Sequence, residues 1–221
     1  MDFNVGNVAA FNIGGLEVWF TETMVNLLII SAILIIFAVI VRSKLNSFSA
    51  VPTGIQNVAE FMIETFDKFV RGTAGNPLHF LGPWFFTVFS VIALSNVGGM
   101  FFRPPTADWA FTLPMAVATF VLIQAMGIKF DKKYFRQFIN PLNIIGEFAR
   151  PVALSFRLFG NLLAGMILVT LFYEMTPIFV RLFFPIILHG FFDTAMGVLQ
   201  AYVFTVLSLA FIGGMAGTSE G

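Results

Sequence analysis

The stretch Arg150-Pro151-Val152-Ala153-Leu154-Ser155-Phe156-Arg157-Leu158-Phe159-Gly160-Asn161-Leu162-Leu163-Ala164-Gly165 sets the guanidinium of Arg157 among apolar residues on both sides. An arginine keeps its proton at any physiological pH. Holding that charge at the centre of a bilayer costs at least ~2.5–3.5 kcal/mol on insertion scales, and such charges mark ion or substrate pathways. Arg157 and Asn161 stand at i and i+4 and share a helix face. Gly160, Ala164 and Gly165 lie beside them, and small residues let another helix come close. The face suits a passing partner that carries a carboxylate. The competing reading locks Arg157 in an internal ion pair with Asp193 or Glu147.

The rest of the chain has the composition of a membrane protein. It is 58% hydrophobic and 11% charged over 221 residues, with mean hydropathy +0.89. Soluble domains carry about 25% charged residues. The formal net charge is zero, which argues against nucleic acid as a partner. There is no cysteine, so disulfides, thiolate metal sites and cysteine nucleophiles are excluded. No cofactor is expected. The N-terminus reads Met1-Asp2-Phe3-Asn4 without a basic stretch, and no cleavable signal peptide is expected.

Hydropathy divides the chain into an extracytoplasmic N-terminal segment (1–21), a membrane helix (22–41), an amphipathic helix (53–71), two further membrane helices (79–102 and 109–127), a basic loop (128–141) and a tilted helical hairpin (142–215). In the amphipathic segment Ile55, Val58, Met62, Phe66 and Phe69 recur at helical spacing, with charged residues on the other side. It is too charged to span and is expected to lie on the cytoplasmic surface. Thr53 with Gln56 resembles a capping box, and Gly72 reads as the stop. Arg42 and Lys44 follow the first span, and Lys129, Lys132, Lys133 and Arg136 follow the third. By the positive-inside rule both ends are cytoplasmic, which puts the N-terminus outside and the C-terminus inside. Residues 178–215 make roughly 57 Å of helix, against a hydrocarbon core of ~30 Å. That segment must tilt, bend at Gly190 or Gly197, or protrude. The fold class is therefore all-α, with about five membrane helices and one amphipathic surface helix.

The final segments hold most of the polar groups embedded in apolar sequence: Glu147, Arg150, Arg157, Asn161, His189, Asp193 and Gln200. On an α-helix His189, Asp193, Gly197 and Gln200 fall on one stripe, where imidazole, carboxylate and amide can relay protons or hold a small cation. The alternative is interhelical hydrogen bonding that only fixes packing. Glu147 and Arg150 read either as a cytoplasmic mouth of the pathway or as an interfacial ion pair. Glu174 and Arg181 flank Pro177 as interfacial anchors.

The run Arg150-Pro151, Ser155 through Asn161, then Ala164-Gly165, resembles the signature of subunit a of the rotary F-type ATP synthases. Gln200 stands at the spacing that family shows. Pro52 through Asn57 and Ser95-Asn96 resemble its bacterial branch. The resemblance implies two long tilted helices against a ring of c subunits, with b subunits of a peripheral stalk as further partners, in a bacterial cell membrane. It implies two offset half-channels that carry protons, or in some members sodium ions, to and from carboxylates on the ring. Arg157 would stand between the half-channels. Many relatives carry glutamate nine residues after the arginine, where this chain has Met166, and histidine or glutamate where it has Asp193. The outer ionisable group then rests on Asp193, assisted by His189 and Asn161.

Two other classes compete. A secondary transporter would use Arg157 for an anionic substrate, but such folds show internal repeats, and none is visible. A haem-bearing subunit would need His79 and His189 to face each other, which their positions in the spans disfavour.

Overall fold

A computed structural model describes residues 7–13, 16–45, 54–100, 102–130, 140–177 and 184–217. The chain opens with a feature the hydropathy reading lacks. Strands β1 (Asn7–Ile13) and β2 (Leu16–Thr21) pair antiparallel, with Ala10 opposite Trp19 and Ile13 opposite Leu16. Val18, Trp19 and Phe20 are strand-favouring residues, and Gly14-Gly15 between the two runs is a hairpin signal at sequence level.

Helix α1 (Glu22–Lys44) is capped by Thr21, whose hydroxyl accepts the Met24 N–H at 3.4 Å. Glu22 in its first turn and Arg42 and Lys44 in its last complement the helix dipole. Only 6% of its apolar window is buried, so α1 stands largely clear of the other helices. Helix α2 (Ile55–Ala74) runs past Gly72. It stops at Gly75, whose φ of 91° is left-handed and favours glycine. Thr53 lies outside the described residues, and Gln56 donates to Glu60 Oε1 at 2.8 Å. The strongly amphipathic α2 sends Val70 and Ala74 into a core shared with Leu78, Leu81, Phe85, Ile123, Leu209 and Ile212.

A 3-10 turn (Asn76–Leu81) leads into α3 (Gly82–Val97). Two further 3-10 turns, Gly98–Met100 and Pro105–Ala107, connect it to α4 (Trp109–Phe130). Helix α5 (Pro141–Met175) is 35 residues long; Asn140 caps it by accepting the Leu142 N–H, and Pro141 sits in its first turn. The basic cluster at Lys132, Lys133 and Arg136, like Arg181, lies outside the described residues. The last segment is a composite of α6 (Phe184–His189), a π-helical turn (Gly190–Ala195) and α7 (Met196–Gly217).

Among the described residues, five helical segments are long and apolar enough to cross a membrane: Glu22–Lys44, Leu78–Val97, Trp109–Phe130, Pro141–Met175 and Ile187–Gly214. The all-α membrane architecture is thus observed, with the hairpin as its one addition among the described residues. A second core of Val88, Ile92, Ala116, Leu154, Leu158, Ala201 and Phe204 ties α3, α4, α5 and α7 into one bundle.

Candidate functional site

Leu154, Ser155, Leu158 and Leu162 turn one face of α5 into the bundle. Gly146, Ala149, Ala153, Phe156, Arg157 and Ala164 remain on its exposed side. Arg157 and Arg150 both line a shallow groove of about 200 Å³, floored by the small residues Gly146, Ala149 and Ala153 and walled by Leu207 and Phe211 of α7. Among the described residues no hydrogen bond or ion pair holds the Arg157 guanidinium. The internal ion pair considered from sequence is absent, because both candidate carboxylates already have cationic or imidazole partners.

The first of these carboxylates is Glu147, 4% exposed. Its Oε1 meets Arg150 Nη1 at 2.6 Å, and its Oε2 accepts from Gln124 Nε2 of α4 at 3.1 Å. The Arg150 guanidinium also lies 4.7 Å above the Phe211 ring, a favourable cation–π contact. Gln124 was not singled out from sequence. Its only signal is a lone amide in an apolar span, and its Oε1 is buried without a partner.

The second is Asp193, which the π turn carries. Its Oδ2 lies 2.7 Å from His189 Nδ1. A π turn bonds i to i+5 and adds a residue to the helix, and such turns recur at functional sites. The α-helical stripe inferred for His189, Asp193, Gly197 and Gln200 is therefore interrupted: His189 and Asp193 stay in contact, while Gly197 and Gln200 follow on the regular turns of α7. The turn is wedged from both sides. A Cβ on Gly99 would sit 3.5 Å from Asp193 Cβ, and one on Gly165 of α5 would sit 3.1 Å from Phe192 Cβ.

Asn96 secures the far end. Fully buried, it donates from Nδ2 to the Gly197 carbonyl at 2.8 Å and accepts from the Thr106 hydroxyl at Oδ1. Asn161 Nδ2, Gln200 Nε2 and Ser95 Oγ are buried without a protein partner. An unpaired buried donor costs ~1–3 kcal/mol, so such groups in a functional membrane protein call for a water or an ion.

A multi-helix membrane bundle that holds, among the described residues, an arginine without a protein partner on an open face, and two buried carboxylates elsewhere in its last helices, has the features of proteins that move ions or charged substrates. The profile of the ATP synthase A chain family matches residues 24–213. The ATP synthase subunit a of Moorella thermoacetica is 34% identical over 221 residues, covering 95% of this chain and 96% of that one. Those of Helicobacter pylori strain P12 (33%, covering 87% and 89%) and Helicobacter hepaticus (31%, covering 87% and 88%) are similar over most of their lengths. The chain belongs to the ATP synthase A chain family, as a multi-pass membrane subunit that is not catalytic by itself.

Proposed function

We propose that this chain is the stator subunit that passes protons to and from the carboxylates of a rotating c-ring through two offset half-channels, coupling the ion gradient to ATP synthesis. The observation that carries the reading is the open Arg157, without a partner among the described residues, while the carboxylates Glu147 and Asp193 are already engaged within the chain. A fixed cation with no internal partner is available to a carboxylate on another subunit. Because it cannot deprotonate, it also blocks direct proton flow between the two sides.

In this reading Asp193, His189, Asn161 and Gln200 serve the outer half-channel. The Glu147–Arg150–Gln124 cluster serves the cytoplasmic one. The b subunits of the peripheral stalk hold the chain against the ring. The N-terminus faces outward from a bacterial cell membrane and the C-terminus lies in the cytoplasm. The alternative ion is sodium, for which the Asp193 carboxylate is the candidate ligand in this reading.

The test is Arg157→Ala in the reconstituted ATP synthase, with ATP-driven pumping and passive leak followed with and without sodium. Loss of pumping, with a rise in passive leak, is the expected result. A sodium requirement in the unaltered complex would change the ion named. Pumping that survives the substitution would return Arg157 to a role in packing.

A further inference from the structure

Among the described residues, the Gln124 amide is held at one end only. Its Nε2 donates to Glu147 Oε2 at 3.1 Å, while its Oε1 is buried without a partner. A buried amide is normally bonded through both its nitrogen and its oxygen. Glu147 accepts at both oxygens, from Gln124 and, at 2.6 Å, from Arg150 Nη1. That pattern belongs to an ionised carboxylate, which only accepts. A carboxyl protonated at Oε2 would turn its O–H toward the Nε2 donor, and two donors cannot share one bond. We propose that Gln124 is a positioning residue for proton transfer at Glu147: its amide turns over as Glu147 gains and loses a proton, giving Nε2 to the carboxylate and Oε1 to the carboxylic acid. The inference rests on the reading of Glu147 as a relay of the cytoplasmic half-channel.

The surroundings let the amide turn and hold the rest still. The last torsion of a glutamine is broad and two-fold, so a half-turn exchanges oxygen and nitrogen without moving the remainder of the side chain. No donor among the described residues holds Oε1 in its present place. The two helices are fixed at this level: Ile123, next to Gln124, is 1% exposed, and Phe120 of α4 meets Phe148 of α5 with ring centroids 5.8 Å apart. The proton never resides on the amide. It binds Glu147 Oε2 and leaves from the same oxygen to water, while Arg150 keeps hold of Oε1. Among the described residues Arg150 is the only charged group paired with Glu147. Pro151 lacks the N–H that would bond the Glu147 carbonyl four residues earlier, so the same turn offers a backbone acceptor to that water.

The test is ATP-driven pumping by the intact ATP synthase in liposomes, measured per assembled complex in H2O and in D2O. Gln124→Met keeps the length of the side chain and removes its hydrogen bonds. It should slow pumping about tenfold, the weight of one hydrogen bond to a charged group, and raise the ratio of the rates in H2O and D2O, because proton transfer becomes the slow step. Gln124→Lys, which offers donors and no acceptor, should be at least as slow. In a Glu147→Gln background neither substitution should slow pumping further. A wild-type rate and isotope ratio per complex in Gln124→Met would overturn the proposal, even with fewer complexes assembled, since Gln124 would then only pack. Faster pumping in Gln124→Lys than in Gln124→Met would also overturn it, since donation alone would suffice. Glu147→Gln separates this failure from that of the underlying reading: a wild-type rate there takes Glu147 itself off the pathway, whereas slow pumping there beside normal pumping in Gln124→Met removes only the role of Gln124.

Discussion

Arg150 and Glu147 show what one ion pair does in a half-wet site. The Glu147 side chain is 5% exposed and that of Arg150 is 31% exposed, at 2.6 Å. Removing one partner of a buried pair leaves the other uncompensated, at a cost of ~3–5 kcal/mol. Water reaching the guanidinium reduces this, so Arg150→Ala should cost roughly 1–3 kcal/mol and Glu147→Gln clearly less. Thermal inactivation of the solubilised complex reads the difference, and equal shifts would contradict the asymmetry. Gln200 is the reverse case: its buried Nε2 has no protein partner. Gln200→Leu should leave stability unchanged or raised while slowing ATP-driven pumping. A loss of stability together with normal pumping would make Gln200 a packing residue. The charged members of these clusters were legible in the sequence, because a charge in apolar sequence is conspicuous. Gln124 and the bonding of Asn96 were not, because an amide signals nothing until its partners on other helices are known.

The last membrane segment shows what periodicity alone misses. A period of 3.6 residues puts His189, Asp193, Gly197 and Gln200 on one face, but the observed π turn shifts the phase between Gly190 and Ala195. Nothing local marks a π turn. It depends on neighbours, here Gly99, Phe192 against Gly165, and the Asn96 bond to Gly197. Gly197 has no room for a side chain, since a Cβ there would collide with Asn96 Cβ. Gly197→Ala should therefore destabilise the α3–α7 contact by ~1–3 kcal/mol, as overpacking does, and lower the yield of assembled complex. A Cβ on Gly160 would meet no neighbouring element within 4 Å. Gly160→Leu should leave the chain's own stability intact yet impair coupled pumping, if a partner sweeps past that face. Unimpaired pumping in Gly160→Leu would count against it. The end of α2 was misjudged for a related reason. Gly72 is tolerated inside the helix, and it is the positive φ at Gly75 that ends it.

The five apolar segments were readable from hydropathy, since burial in lipid constrains composition before any packing is known. The N-terminal hairpin was fainter: Gly14-Gly15 between strand-favouring runs is its signal, a short pattern beside twenty-residue spans. Orientation is directly testable, because the chain contains no cysteine and any introduced thiol is unique. In right-side-out vesicles Asn12→Cys should react with a membrane-impermeant maleimide, and Lys129→Cys should react only after inversion. The opposite pattern would reverse the topology. The length of α5 has a further consequence. Leu142 and Met175, near its two ends, are apolar and 74% and 82% exposed, so both belong in hydrocarbon. A helix of about 52 Å confined to a slab of ~30 Å inclines by about 55°. Along such an incline, Glu147 and Asn161 are about 12 Å apart in depth but about 17 Å apart sideways. Glu147 is turned into the bundle, so the open face of the helix passes these two depths at different lateral positions. Arg157 lies between them on the exposed side of the same helix, so the slope sets a lateral order, Glu147 then Arg157 then Asn161, as well as an order in depth.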